Sequence, residues 1–285
     1  SQPFLTVTSH MMMTPSTAGR AKKSPEEEFH PYTLLKCRAL THDTDHYTFE
    51  VPDGSPMASF SPGQHLYIRM PQAGAYGGFI ARPYTPVYFS RSHFELVVKR
   101  YADGAVSNFL HSVPVGSTVH ARGPVSRYKH EESRHRDVVF LGMGTGITPL
   151  FSVLYDLISS GLPPHVTMYL LYASRSVEDI LLRQELLELK TALPNPAQLR
   201  IVHFLSSPDP VSSSSEEDLE TFCVGRRFTV EDLQAHLPQE WFDRAREWSG
   251  DSPRFLICGS DPFMQTMVDG LTGALQVHMK NIFAF

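Results

Sequence analysis

The feature that most constrains this chain is a change of texture at Asp137. Before it, short segments alternate apolar and polar residues and are cut by Gly and Pro. After it, uninterrupted apolar runs take turns with stretches at helical spacing. Val138–Leu141 reads as a strand buried on both faces of a parallel sheet. Pro149–Ser160 places Leu150, Leu154, Leu157 and Ile158 on one helical face. A strand over Val166–Tyr172, a helix over Glu178–Lys190 and a strand over Leu199–Leu205 follow. A helix over Thr229–His236 opens with a hydroxyl and has an acid three positions on. Arg254–Cys258 is a last buried strand, with a helix starting near Asp261. Such alternation over about 150 residues predicts an α/β domain built on a parallel sheet with right-handed crossovers.

Upstream, candidate strands fall at Tyr32–Leu40, His46–Val51, His65–Met70, Arg82–Tyr88, His93–Lys99 and Thr118–Arg122. Short strands punctuated by turns, with no long helix between them, predict a small antiparallel β-barrel or sandwich. At 285 residues the chain is long enough for both domains. The expected division is a disordered leader or linker over 1–28, the β-barrel over 29–130 and the α/β domain over 137–285. The leader is rich in Ser, Thr, Pro and Lys and ends in the acidic run Glu26–Glu28. Pro208–Glu220, four serines followed by acids, reads as a flexible surface loop. The opening at Ser1 leaves room for an upstream anchor or domain.

Composition narrows the function classes. A net charge of −5 argues against a nucleic-acid binder. No apolar run is long enough to span a membrane, and nothing at the N-terminus resembles a signal peptide. Three scattered cysteines make neither a disulfide framework nor a zinc knuckle, which points to a reducing, intracellular setting. The fourteen histidines show no metal-ligand spacing, so no metal is expected.

Two segments carry chemistry. Gly142-Met143-Gly144-Thr145-Gly146-Ile147-Thr148-Pro149 joins the buried strand to a helix, with Thr148 as its expected cap. A glycine turn ahead of a helix N-terminus suits a pyrophosphate. It is not G-x-G-x-x-G, since Ile147 holds the third glycine position, nor is it a P-loop, since it lacks the lysine. Taken alone, such a turn is as readily structural as ligand-binding. Arg82-Pro83-Tyr84-Thr85-Pro86 is the second segment. Its prolines cannot donate to a ladder, so it belongs at a sheet edge or bulge. Arg82 offers a planar fork for phosphate, Tyr84 a ring and Thr85 a hydroxyl; a plain edge strand with a salt-bridged Arg fits equally well.

That second segment resembles the flavin-binding R-x-Y-T signature of the NADH–cytochrome b5 reductase family, in the ferredoxin reductase superfamily. The resemblance continues in order through Val97-Val98-Lys99-Arg100-Tyr101, Gly104-Ala105-Val106-Ser107-Asn108-Phe109-Leu110 and Arg122-Gly123-Pro124. It runs on through Gly144-Thr145-Gly146-Ile147-Thr148-Pro149, Asp179-Ile180-Leu181-Leu182-Arg183-Gln184-Glu185-Leu186 and Cys258-Gly259, to Phe285. Seven motifs in order over residues 30–285 are specific where one would not be. The resemblance implies a roughly six-stranded flavin barrel followed by a nicotinamide domain, with FAD in the cleft between them. It further implies that hydride passes from NADH to FAD, and single electrons from there to a haem acceptor such as cytochrome b5. It gives Arg82, Pro83, Tyr84 and Thr85 to the flavin. Val97, Lys99 and Tyr101 would line the flavin and the dinucleotide's approach, and Gly104, Ala105, Val106 and Ser107 would hold the pyrophosphate. Gly144, Thr145 and Thr148 would face flavin and nicotinamide, with Cys258 and Gly259 flanking the latter. Thr85, Thr145 and Lys99 are the expected catalytic residues.

This chain also departs from the family pattern. Asp103-Gly104-Ala105-Val106-Ser107 stands where the family commonly has Gly-Gly-Lys-Met-Ser, which leaves anion binding to backbone amides. Met143 replaces a glycine, narrowing the dinucleotide's space. Leu205-Ser206-Ser207 lacks the acid that would bind a ribose 2′-hydroxyl and repel a 2′-phosphate. With Arg175 nearby, NADPH stays open beside NADH. Cys258 is read as a small residue closing a strand rather than a nucleophile, since hydride transfer needs no covalent intermediate. Tyr76, Gly77 and Gly78 form a loop able to cover adenine, and Phe285 either packs the terminus or stacks on the flavin. A basic patch of Arg82, Arg91, Lys99, Arg100, Arg122, Arg127 and Lys129 would meet an acidic cytochrome. The chain is expected to act as a monomer. The rival expectations are a reductase domain of a larger fusion protein serving another haem or iron–sulfur acceptor, and a non-catalytic scaffold that lost its cofactor.

Overall fold

The structure, a computed structural model, describes residues 28–71, 78–125, 128, 136–208 and 219–285. The expected leader (apart from Glu28), Tyr76, Gly77, Arg127, Lys129 and most of the serine-rich loop lie outside these residues.

Seven strands make the first sheet: β1 (His30–Ala39), β2 (Thr44–Glu50), β3 (His65–Pro71), β4 (Phe79–Tyr84), β5 (Tyr88–Phe89), β6 (His93–Lys99) and β7 (Thr118–Val125). Their order is β4-β3-β7-β1-β2-β6-β5, antiparallel at every pairing. Alternation sends one residue in two inward, so Tyr32 and Leu34, Tyr47 and Phe49, and Phe94, Leu96 and Val98 are buried. Phe49 stacks on Phe94 with centroids 5.1 Å apart. The sheet's two edges, β4 and β5, are neighbours in sequence, joined only by Thr85-Pro86-Val87. That connection spans at most about 14 Å, so the sheet has to curl until its edges lie close together.

Two expectations are corrected here. The sheet has seven strands, not six, because Arg82–Tyr88 is not one strand. Pro86 has no N–H for a ladder, and pairing stops at Tyr84 on one side and resumes at Tyr88 on the other. The second concerns residues from Ala105, where the strand pattern assigns no element: they form helix α1 (Ala105–Ser112), which buries Val106 and Leu110. Eight residues with two inward positions are too short a window for periodicity to register.

The second sheet is wholly parallel. Its strands are β8 (Val138–Met143), β9 (Met168–Ser174), β10 (Leu199–Leu205), β11 (Thr221–Val224), β12 (Arg254–Cys258) and β13 (Ile282–Ala284), in the order β11-β10-β9-β8-β12-β13. Helices α2 (Ile147–Ser159) and α3 (Arg183–Ala192) cover one face with Leu150, Leu154, Leu157 and Leu186. On the other face α4 (Glu231–His236), α5 (Gln239–Ala245) and α6 (Asp261–Asp269) contribute Leu233, Trp241, Phe242, Phe263 and Met267. Val87 and Val97 of the first half join the α2 core, so the halves share apolar packing.

Helix α3 starts at Arg183 rather than Glu178, because Leu182 sits in the left-handed region at φ 58° and ends any earlier helical run. Ile180 and Leu181 before it are buried. Thr148 does not cap α2 but lies inside it, its hydroxyl donating back to the Thr145 carbonyl at 3.1 Å. The signature at Thr229 forms only in part: α4 starts at Glu231 with no side-chain cap, while the Asp232 carboxylate accepts from the Thr229 amide at 2.8 Å and from its hydroxyl at 3.3 Å. Among the described residues no helix is long and apolar enough to cross a membrane.

Candidate functional site

In an open parallel sheet, ligands bind beyond the carboxyl ends of the strands where the strand order reverses. Here the chain runs outward from β8 to β11 on one side and returns to β12 and β13 on the other. The reversal therefore lies between β8 and β12. Their carboxyl ends carry the Gly142–Gly146 turn and Cys258-Gly259. A cleft of about 1090 Å³ opens there, and β4 with Thr85 just beyond it, the end of β6, Tyr101 and residues 103–107 form its opposite wall.

The glycine turn is held from three directions. Gly144 has φ +55° and its carbonyl accepts the Tyr172 hydroxyl at 2.8 Å. A Cβ on Gly146 would sit 2.2 Å from the Cys258 carbonyl oxygen, so only glycine allows β12 to end against the turn. Met143 crowds Gly259, where an added Cβ would lie 3.0 Å from the Met143 Cβ. No side chain caps the N-terminus of α2, so its first amides have no side-chain partner and the positive end of the helix dipole faces the cleft.

Across the cleft the barrel offers a second such terminus. No side chain caps α1 either, and Gly104 is its N-cap. The preceding turn is tied locally: the Ser107 hydroxyl donates to the Gly104 carbonyl at 3.0 Å, and Asn108 Nδ2 donates to the Tyr101 carbonyl at 3.0 Å. Arg82 is exposed, and its guanidinium donates to the Ala81 carbonyl at 2.9 Å, which leaves most of the fork available. Burial pushes the Tyr84 phenol up to about 12, against the lowering effect of Arg82, so the hydroxyl keeps its proton at neutral pH. Tyr101 bridges the halves, its hydroxyl 3.2 Å from Thr145 Oγ1.

The residues that the resemblance gives to flavin and nicotinamide all line this one cleft except Gly144, which shapes the turn without lining it, whereas Met143, Arg91, Arg100, Arg122 and Arg175 do not line it. Lys99 does line it, but as a tethered cation: its Nζ is 2.7 Å from Asp43 Oδ2. Cys258 is half-buried, and burial pushes its thiol up to about 12, which makes it a poor nucleophile. Arg122 leaves the expected basic patch: its guanidinium lies 4.7 Å over the Tyr67 ring and its Nε is buried. Sequence reasoning missed Gly63, Tyr67 and Tyr128 as lining. Gly63 has φ +73°, and a Cβ there would meet Tyr128 at 2.6 Å. Its Pro62-Gly63 pair was a readable signal for a left-handed turn. Phe285 packs 5.2 Å from Tyr128 and 4.9 Å from Phe283 at one end of the cleft.

The donor set fits a flavin dinucleotide. The start of α1, which no side chain caps, and the part of the Arg82 fork not used by Ala81 suit a pyrophosphate, while the Ile147 amide of α2 is already taken by the Gly144 and Thr145 carbonyls. Val97 and Tyr84 supply apolar and aromatic surface for a ring system, in a cleft at the upper end of the usual ligand-pocket range.

Comparison with known proteins agrees. Residues 31–130 match the model of an oxidoreductase FAD-binding domain, and residues 140–269 that of an oxidoreductase NAD-binding domain. The chain is thus an oxidoreductase with FAD as cofactor and NAD(P)H as substrate. It is 30% identical to NADH–cytochrome b5 reductase 1 of Arabidopsis thaliana, over 79% of this chain and 81% of that one. It is 31% identical to NADH–cytochrome b5 reductase 1 of Candida glabrata, over 81% and 86% respectively. The fold matches the cytochrome b5 reductase domain of Ulva prolifera nitrate reductase with a TM-score of 0.71 at 22% identity, covering 92% of this chain and 98% of that one. The chain belongs to the NADH–cytochrome b5 reductase family.

Proposed function

We propose that this protein takes reducing equivalents from a nicotinamide dinucleotide and delivers them singly to a haem protein such as cytochrome b5. The observation that carries this is the meeting, in one cleft, of the Arg82–Thr85 edge and the glycine turn at the strand-order reversal. Bound FAD supplies the redox chemistry, accepting electrons in pairs and releasing them one at a time, which no side chain here can do. The protein's residues bind, orient and shield. Arg82 and the amides at the start of α1 hold phosphate charge. Pro83, Tyr84 and Val97 exclude water from the ring system. Thr85 and Thr145 present hydroxyls where negative charge develops on reduction. Lys99, fixed by Asp43, keeps a positive charge on the dinucleotide's path. Cys258, Gly259 and Thr148 shape the floor against which the nicotinamide lies. The two functional halves span 29–130 and 137–285.

An anaerobic titration of the purified protein with NADH tests this reading. Flavin bands that bleach, followed by reduction of cytochrome b5, support it. A protein that binds no flavin from excess FAD sinks it. Reduction of ferricyanide but not of cytochrome b5 keeps the reductase and replaces the acceptor, as a domain of a larger fusion protein would behave.

NADPH as donor has one specific observation in its favour. Arg175 and Arg227 are exposed in the turns after β9 and β11, and among the described residues neither forms an ion pair. Ser207 lies between these turns: its amide donates to the Arg175 carbonyl at 2.7 Å, and its carbonyl accepts from Gly225 at 3.1 Å. Cations beside serines would favour a 2′-phosphate. NADPH matching or exceeding NADH in that titration supports this reading; bleaching by NADH alone rejects it.

A further inference from the structure

One cluster of reactive side chains has no part in the chemistry above. Cys223 sits on β11, the outer strand of the parallel sheet, half-buried against the face that carries α4. His236, the last residue of α4, places Nε2 3.8 Å from the Cys223 sulfur. Arg226, three residues further along the chain, interacts electrostatically with the Cys223 side chain. Neither partner is loosely placed. The Arg226 guanidinium is 2.5 Å from the buried Asp232 carboxylate and 5.4 Å over the Phe204 ring. His236 packs edge-on against that same ring at 5.5 Å. Asp232 also fixes the start of α4 through Thr229, and so fixes the helix that carries His236. A thiol, a base and a cation are thus held around one phenylalanine.

The other two cysteines differ in kind. Cys37 is exposed, but burial of its sulfur and the negative charge of Asp45 push its thiol up. Cys258 is pushed up by burial to about 12. Only Cys223 combines an imidazole with a guanidinium. Reactive thiols are selected by such electropositive surroundings more than by exposure alone.

We propose that Cys223 is a site of covalent modification by small disulfides, and that an adduct there weakens dinucleotide binding at the adjoining sheet edge. In the chemical step Sγ forms a bond to one sulfur of the incoming disulfide while His236 takes the thiol proton. The disulfide's own S–S bond breaks, and its other half leaves as a thiolate that recovers the proton from His236. Protein and probe each contribute one sulfur to the new bond, and the departing thiol carries away the electron pair. The route to function is short. Gly225, two residues on, donates its amide to the Ser207 carbonyl at 3.1 Å, and Ser207 is bonded in turn to Arg175 at 2.7 Å. A bulky group on β11 displaces this edge. The second half of the proposal rests on the nucleotide site described under the proposed function; the thiol chemistry does not.

The test exposes the full chain, with bound FAD, to glutathione disulfide and locates adducts by peptide mapping in a mass spectrometer. Cys223 is modified first, ahead of the more exposed Cys37, and dithiothreitol reverses the reaction. His236→Gln slows modification of Cys223 by about tenfold or more. The modified wild type shows a raised KM for the dinucleotide at unchanged kcat, while Cys223→Ser exposed to the same disulfide keeps its KM. Modification of Cys37 before Cys223 in the wild type overturns the site, and this ranking needs no variant to fold. An unchanged rate in folded His236→Gln overturns the role of the imidazole. An unchanged KM after complete modification overturns the coupling. A chain that takes the adduct at Cys223 yet binds no FAD would sink the proposed function and leave the thiol chemistry standing.

Discussion

Two helix starts face one cleft, and they are anchored by opposite means. The turn before α2 is clamped by the global fold: Tyr172 of β9 holds the Gly144 carbonyl, and the end of β12 abuts Gly146. The turn before α1 is held by its own neighbours, Ser107 and Asn108, with Tyr101, Ala102 and Asp103 exposed around it. The first inherits its precision from a buried parallel sheet. The second is a local construction on a barrel edge, with side-chain hydrogen bonds that each contribute about 1 kcal/mol. Anion binding at the two should therefore fail in different ways.

Substituting each N-cap glycine tests this most severely. Gly146→Val drives a side chain into a strand end that cannot yield, at a cost of about 3 kcal/mol or more. That is roughly 6–12 °C in Tm by calorimetry. In Gly104→Ala the added carbon meets the Ser107 hydroxyl at 2.3 Å, a side chain that can rotate away, and lies 3.0 Å from the Tyr101 Cβ and 3.3 Å from its carbonyl oxygen, contacts a small shift of the exposed turn relieves. Its Tm should fall by a few degrees at most, with weaker FAD binding as the main effect. Equal losses of Tm in the two variants would break the contrast.

Arg82 comes next. The α1 turn has no basic side chain of its own, so Arg82→Ala should weaken FAD about 10- to 100-fold, the value of a charge-assisted hydrogen bond. Fluorescence of released flavin measures it. Full retention would mean that the amides suffice. Tyr84 gives a smaller effect, seen only at high pH. Its phenol is raised to about 12 in the fold from an ordinary value near 10, so the folded state holds this proton more tightly. The resulting stability is fully present below pH 10 and is lost as pH rises from 10 towards 12. Tyr84→Phe should therefore unfold at a higher pH in an alkaline titration followed by circular dichroism. Tyr101→Phe is the smallest, removing one exposed hydrogen bond to Thr145 worth about 0.5 kcal/mol. A large loss of activity would show that this bridge between the halves governs more than its energy suggests.

The same contrast explains what could be read from the chain. Buried parallel strands such as Val138–Leu141 are unbroken apolar runs, and alternation marks barrel strands such as His93–Lys99, so both sheets were legible. The edge strands of the parallel sheet, β11 and β13, are four and three residues long and leave too little pattern. The split at Thr85–Val87 was half-legible: Pro86 announced an edge, but nothing local says that Tyr84 and Tyr88 belong to opposite edges of one sheet. That is fixed by partners far along the chain, β3 for one and β6 for the other. The cleft residues were found through short motifs. Gly63 and Tyr128 were not, because their role arises only when a left-handed glycine brings two distant segments together.

The break in the ladder between β4 and β5 has a consequence for how the protein is handled. A curled sheet whose edges are not bonded to each other is weakest along that line, and the cofactor site runs beside it. FAD held there would act as a splint across the opening. Dilution or dialysis that strips the flavin should loosen β4 and β5 before any other strand. Amide hydrogen exchange there should then track the concentration of free FAD, because a ligand that binds only the closed form stabilises it by mass action.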